Sequence, residues 1–161
     1  MSELLIRPAR DEDRAALGAL KLRSSLAWGD HVEELRALPE ARAVPLAHMP
    51  HAIVAERDGT IVGFATVLAG KDGEAELEDL FVAPEQWRTG VGSKLLAEAE
   101  QRAVDGGARV LHVVAGARAR PFYEASGFRL VGTVATAFEP ADELDKDLSG
   151  DDRRAPRPRR G

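Results

Sequence analysis

Apolar residues recur along the chain in two rhythms, and the switches between them mark out the elements. Leu4-Leu5-Ile6-Arg7 is a short apolar run halted by Pro8, which reads as an opening strand. Asp11 stands as an N-cap, and the stretch to about Trp28 carries Leu17, Leu20 and Ser24 at helical spacing, with Gly29 ending it. Asp30 caps a second, short helix through about Leu38, stopped by Pro39, and residues 39–50 read as irregular. A meander of strands follows: Ala52–Glu56, Thr60–Leu68 and Ala75–Val82, joined by the turn signals Asp58-Gly59 and Lys71-Asp72-Gly73. Gly90 to about Asp105 is the clearest helix, with Val91, Leu95, Leu96 and Ala99 on one face and Gly106-Gly107 as its stop. Arg109–Val114 then reads as a buried strand, Arg118 to Ser126 as a short helix closed by Gly127, and Phe128–Thr136 as a strand. Asp142–Leu148 completes the order as an edge strand.

Helices and strands are thus mixed, with a strand–helix–strand crossover near the middle, and residues 1–148 are expected to form a single α/β domain. The remainder, 149–161, reads SGDDRRAPRPRRG, charged and nearly free of apolar groups, and is expected to be disordered. Its arginines (Arg153, Arg154, Arg157, Arg159, Arg160) could touch nucleic acid or an acidic partner, or serve only as a solubilising end. Composition narrows the classes further. With 44% hydrophobic residues in 161 there is ample material for one core. A net charge of -5 leaves the bulk of the protein without an electrostatic case for nucleic acid. The absence of cysteine excludes a disulfide framework, a thiolate metal site and a cysteine nucleophile. The N-terminal residues lack the pattern of a signal peptide, and no apolar run reaches the roughly 18 residues that would suggest a membrane span. A cytoplasmic protein without membrane attachment is the expectation.

The stretch VAPEQWRTGVGSKLL, Val82 to Leu96, places a glycine turn where the long helix begins. A helix N-terminus exposes unpaired amides and the positive end of its dipole, and a turn that aims further amides at the same point makes an anion nest. Glycine admits a phosphate to close range. Arg88 adds a cation and Thr89 and Ser93 add hydroxyl donors, so the turn suits a pyrophosphate. A plain glycine turn between strand and helix would read the same way. Two nucleotide motifs are excluded: Ser93-Lys94 has the wrong order and spacing for a P-loop, and Leu95 occupies the place of the third glycine of a dinucleotide fingerprint.

Context decides. Glu78-Asp79-Leu80-Phe81-Val82-Ala83-Pro84, then Trp87-Arg88-Thr89-Gly90-Val91-Gly92, then Leu95-Leu96, resembles the first motif of the GNAT acyltransferase superfamily: a strand ending in Val-x-Pro, Gln/Arg-x-x-Gly-x-Gly/Ala, and an amphipathic helix. Downstream, Ala119-Arg120-Pro121-Phe122-Tyr123-Glu124-Ala125-Ser126-Gly127-Phe128 is similar to the second motif, Ala-x-x-Phe-Tyr-x-x-x-Gly-Phe. The resemblance covers about Leu4 to Leu148 and implies a GNAT fold: a mixed central sheet of six to seven strands, about four helices, and a V-shaped split between the fourth and fifth strands. Trp87 departs from the family's usual Gln or Arg, and Gly116 stands where many relatives carry Asn near the thioester or pantetheine.

The resemblance implies an N-acetyltransferase with acetyl-CoA as co-substrate and a primary amine, on a small molecule or a protein, as acceptor. A non-catalytic acetyl-CoA-binding module on the same fold is the alternative. Amides from Arg88 to Ser93 would take the pyrophosphate, with Trp87 beside them. Strand backbone at Leu80, Phe81 and Val82 would pair with the pantetheine arm, and Gly116, Ala119 and Phe122 would complete the cofactor's surroundings. Direct attack needs a neutral amine, hence a base. Glu74, Glu76, Glu78 and Asp79 lie on or just before the strand; Glu76 and Glu78 share a face, Asp79 lies on the other, and Glu76 or Glu78 is the candidate. Tyr123, the only tyrosine, matches the position that serves as general acid or thiolate donor in relatives. Trp28 and Asp30, in the region that lines the acceptor pocket of relatives, are the substrate-side candidates, although Trp28 also reads as core. His31, His48 and His51 fit no common metal spacing, so no metal is assigned, and His112, alternating with apolar residues, reads as structural. Many relatives dimerise, which leaves a homodimer open.

Overall fold

A computed structural model describes residues 3–149; the arginine-rich segment after Gly150 lies outside the described residues. The strands are β1 (Leu4–Pro8), β2 (Ala52–Arg57), β3 (Thr60–Ala69), β4 (Glu74–Val82), β5 (Val110–Ala115), β6 (Arg129–Val134) and β7 (Ala141–Asp147). The helices are α1 (Arg14–Leu26), α2 (Val32–Ala37), α3 (Val91–Asp105) and α4 (Arg120–Ala125). The strands form one mixed sheet in the order β1-β2-β3-β4-β5-β7-β6. β4 and β5 run parallel, and their register ends at Leu77↔Val113 although β4 continues to Val82. Among the described residues no helix is long and apolar enough to cross a membrane.

The final strand is not an edge. β7 pairs with β5 on one side and β6 on the other, both antiparallel. Its sequence, ADELDKD, is polar enough to suggest an exposed position, yet Ala141, Asp142 and Leu144 are buried and Lys146 is held in an ion pair. An interior place is set by the crossover order of the strands, which local composition does not record.

The chain divides into two units, which are described separately. The first comprises residues 3–67 and 79–99. Its core is Leu17, Leu20, Val44, Met49, Val54, Phe64 and Ala83. Arg7 joins β1 to its neighbours by donating to Asp13 at 3.0 Å and to Glu56 at 2.7 Å. Asp13 also accepts the Arg10 amide at 2.8 Å, so the charge at the head of α1 sits at Asp13 rather than at the expected cap, Asp11. The cap expected at Asp30 is likewise displaced: α2 begins after His31, whose φ of 55° makes the turn. The opening turns of α3 lie close on β3 at Gly63, where a Cβ would come within 2.8 Å of Leu95 Cδ1 and 3.1 Å of the Phe81 carbonyl.

The second unit comprises residues 68–78 and 100–149. In it β4, β5 and β7 stand side by side, with Ala75, Leu77, Leu111, Val113 and Leu144 buried on one face. Lys146 projects to the same side and donates to Glu100 at 2.9 Å and to the Ser126 carbonyl at 2.9 Å. The helix stops match the glycine signals. Gly107 (φ 95°) and Gly127 (φ 98°) take the left-handed conformation, and the amides after them reach back to Ala103 and Tyr123.

Candidate active site

In the first unit, the turn ahead of α3 is built from alternating backbone hands. Arg88 (φ 68°) and Gly90 (φ 92°) are both left-handed. Arg88 is an unusual residue for that region, whereas glycine enters it without steric cost. The first helical bond runs from the Lys94 amide to the Gly90 carbonyl at 3.1 Å, so the amides of Val91, Gly92 and Ser93 have no backbone partner among the described residues. The same holds for Arg88 and Gly90. A Cβ built on Gly90 would meet nothing within 4 Å, so the protein itself does not need the space. Unpartnered amides, an alternating backbone and open room at a helix head fit a pyrophosphate.

Thr89 departs from the expectation. Its hydroxyl donates to the Gln86 carbonyl at 2.6 Å and its amide to the same oxygen at 3.3 Å, so both of its donors are used within the turn. Ser93 remains exposed at the helix start. Buried Val91, Leu95, Leu96 and Ala99 form the inward face that the spacing predicts.

Trp87, expected beside the pyrophosphate, has a role within the fold itself. Its Nε1–H donates to the Val82 carbonyl at 2.8 Å, and Ser24 of α1 donates to the same oxygen at 2.8 Å. Together these bonds pin α1 and the glycine turn to the end of β4. They also use both lone pairs of that carbonyl, which removes Val82 as an acceptor for a pantetheine amide. Trp28 is not core: it is 43% exposed and stacks on Trp87 with ring centroids 4.7 Å apart. Leu80, Phe81 and Val82 are half-buried, and Phe81 stacks on Phe64. Asp30 is half-buried between Gly29 and His31, in the connection from α1 to α2. Asp79 is buried, with Lys21 Nζ 3.9 Å away.

In the second unit, Tyr123 is 5% exposed and packs edge-on against Phe122 and Phe128, at 5.1 and 5.3 Å. Burial pushes its phenol well above the ordinary tyrosine value, and the hydroxyl makes no hydrogen bond among the described residues. Gly116 precedes a single 3-10 turn, Ala117–Ala119, and a Cβ there would meet nothing within 4 Å. Glu76 is half-buried and Glu78 exposed. Burial raises the Glu76 carboxyl; His112 opposes the rise, and Glu78, Asp145 and Glu143 add to it. That separates two carboxylates which the sequence leaves equivalent.

The residue that sequence reasoning set aside is His112. It stands in register with Glu76 on β4 and with Asp145 on β7, and its Nδ1 lies 2.5 Å from Asp145 Oδ1. Glu143 and Asp145 are spaced to share a face of β7, but only the register brings them to His112.

Similarity to known proteins identifies the family. Residues 20–128 match the model of the acetyltransferase (GNAT) family. An uncharacterized N-acetyltransferase of Mycobacterium tuberculosis is 36% identical over 86 residues, 50% of this chain and 54% of that protein. The chain thus spans about half the length of the curated relatives it matches. Among solved structures, a GCN5-related N-acetyltransferase from Rhodopseudomonas palustris is 26% identical with a TM-score of 0.71, covering 91% of this chain and 97% of that one. The PaiA N-acetyltransferase of Thermoplasma acidophilum, solved in complex with coenzyme A, shares the fold at 21% identity and a TM-score of 0.75, covering 90% of this chain and 99% of that one. With the family model matching more than half of its length, the chain belongs to the acetyltransferase (GNAT) family.

Proposed function

We propose that the chain transfers an acetyl group from acetyl-CoA to a primary amine of a small molecule or a protein by direct attack. The observation that carries the reading is the turn at the head of α3, where the amides of Arg88, Gly90, Val91, Gly92 and Ser93 are unpartnered around open space. A pyrophosphate is the group such a nest suits, and a fold neighbour was solved with coenzyme A. Acetyl-CoA supplies the activated acyl carbon. Backbone along Leu80 to Val82 serves the pantetheine arm, without the Val82 carbonyl, and Gly116, Ala119 and Phe122 border the cofactor. Trp28 and Asp30 stand on the acceptor side.

Tyr123 donates a hydrogen bond to the leaving sulfur. An ordinary thiol titrates near 8.5, below even an unperturbed phenol, and burial raises Tyr123 further. Full proton transfer from the phenol is therefore uphill, while donation to the developing thiolate is available at every working pH. Of the strand carboxylates, Glu76 is the better placed to assist deprotonation of the amine, because burial makes it the stronger base.

The test is acetyl-CoA-dependent thiol release across amino acids, polyamines, aminoglycosides and peptide N-termini. Release with any amine, and acetylated product by mass spectrometry, is the expected outcome; acetyl-CoA binding with no release across the whole panel overturns the proposal.

A further inference from the structure

The open face of the second unit's sheet carries a row that no motif marks. Glu76, His112 and Asp145 lie in direct register across β4, β5 and β7, so their side chains leave the sheet on the same side. Two residues further along, Glu78 and Glu143 project to that side as well; Val114, in register with Glu143, is exposed. On β6, Arg129 is in register with Asp145. The charged groups facing the imidazole from neighbouring strands are therefore Glu76 and Glu78 on one flank and Glu143 and Asp145 on the other, with Arg129 beyond.

Within this row the imidazole is oriented. Asp145 Oδ1 is 2.5 Å from Nδ1, which places the proton on Nδ1 and the free lone pair on Nε2 when the ring is neutral. Nε2 is 4.0 Å from Glu143 Oε2, beyond hydrogen-bond distance. The side chain is 22% exposed, so an incoming group can reach it. A histidine serving only to fill the sheet would need neither an orienting carboxylate nor an open face.

We propose that His112, oriented by Asp145, is the base that takes the acceptor's proton, with Glu76 and Glu143 stabilising the imidazolium that results. This rests on the acetyl-transfer reading above and refines its assignment of Glu76, which becomes a positioning residue. Nε2 accepts a proton from the protonated amine, directly or through one water. The freed lone pair forms the N–C bond to the acetyl carbon as the C–S bond breaks and the sulfur leaves with its electron pair. The nitrogen's second proton ends on the sulfur as free thiol, and His112 returns its proton to solvent. In ordinary values imidazole is about two pK units more basic than a carboxylate, about a hundredfold in the equilibrium with an alkylammonium. The surrounding carboxylates enlarge that advantage: hydrogen bonding to Asp145 and the charges of Glu76, Asp145 and Glu143 raise the imidazole against the opposing effect of burial.

Two readouts test it on the full chain. The first needs no activity. In histidine-labelled protein, the His112 resonance, assigned by its loss in His112→Gln, should titrate above the ordinary 6.5 of an imidazole, and should fall in Asp145→Asn. A midpoint unmoved by Asp145→Asn overturns the orientation. The second uses acetyl-CoA with spermidine and with a lysine-bearing peptide. His112→Gln should lower kcat by about 10²-fold or more at unchanged acetyl-CoA affinity. His112→Ala should be partly rescued by added imidazole, and Asp145→Asn should shift the rising limb of kcat/KM to lower pH. If His112→Gln keeps kcat while Glu76→Gln loses it, the base is Glu76 and this inference alone falls. If the wild-type chain acetylates neither acceptor nor any amine of the wider panel, the acetyl-transfer reading falls and takes this one with it.

Discussion

The two units bind chemistry in opposite ways. The nest at the head of α3 is made of main chain: its donors are amides, its room comes from Gly90, and its side chains mostly brace the turn. The open face of β4, β5 and β7 is made of side chains, and its grouping exists only because three strands align Glu76, His112 and Asp145. A backbone site is written as a short local pattern and depends little on the side chains around it. A side-chain site is spread over strands far apart in sequence and depends on each residue's identity. The sharpest way to break this contrast is to put a side chain where the backbone site needs none. Gly90→Glu should weaken acetyl-CoA binding by ~100-fold or more in calorimetry, because a carboxylate would stand among amides meant for an anion. Gly90→Ala is its control. At φ 92° it should cost about 1–2 kcal/mol of stability, and it should weaken binding less than the glutamate does, because it adds a methyl group and no charge. Binding by the glutamate variant at full strength would mean that the nest is only a turn.

The next test lies in the second unit. Tyr123→Phe should lower kcat by about 10²-fold, the usual cost of removing one donor to a developing charge, at unchanged acetyl-CoA affinity. Because the hydroxyl makes no hydrogen bond among the described residues, the unfolding free energy should change little, by about 0.5 kcal/mol or less. A large stability loss with normal turnover would reverse the assignment and make the ring a packing residue only.

The same contrast explains what could be read in advance. Hydrophobic rhythm located the seven strands and four α-helices to within a few residues, because each buries a face and the face sets the period; the 3-10 turns Pro39–Arg42 and Leu46–His51 fall in the segment read as irregular. The glycine stops held because a left-handed backbone at Gly107 and Gly127 demands that residue type. Position in the sheet was not legible for β7, whose interior place follows from the crossover. Caps were misread at Asp11 and Asp30 for a similar reason. A carboxylate can cap locally, but Asp13 gains more by meeting Arg7 from β1, and His31 supplies a left-handed turn that only the path of the chain requires. At the candidate site, the turn at the head of α3 was visible from its glycines. His112 read as structural, and Asp145 and Glu143 carried no signal of their own, because only the strand register brings the three together.

Trp87 tests how far the backbone site depends on bracing. Trp87→Phe keeps the ring stack with Trp28 but removes one of the bonds to the Val82 carbonyl, which Ser24 still satisfies. The expected cost is about 1 kcal/mol, with little change in acetyl-CoA affinity. Adding Ser24→Ala should cost more than the sum of the single changes, because the carbonyl then has neither donor; simple additivity would mean that water replaces them freely.

The smallest effect is a dependence of stability on pH. The imidazole of His112 is raised above its ordinary 6.5 by the Asp145 hydrogen bond and the charges of Glu76, Asp145 and Glu143, against burial. A group raised on folding binds its proton more tightly in the folded chain. It therefore adds stability that is fully present below 6.5 and is lost as the pH climbs through the higher folded value. Glu76, also raised, acts in the same direction but from a lower start: its contribution is present below 4.5 and fades as the carboxyl ionises. Asp13 opposes them elsewhere. Held down chiefly by Arg7, it adds stability above 3.8 that is lost only as the pH falls through its lower folded value. The histidine's contribution begins to fade above 6.5, so the comparison belongs in the window upward from there. The difference in unfolding free energy between wild type and His112→Gln, from denaturant curves, should shrink steadily across that window and respond to salt, since part of it is charge. A difference that is flat with pH would leave His112 an uncharged filler of the sheet, and the second unit would lose the group that distinguishes its chemistry from that of the nest.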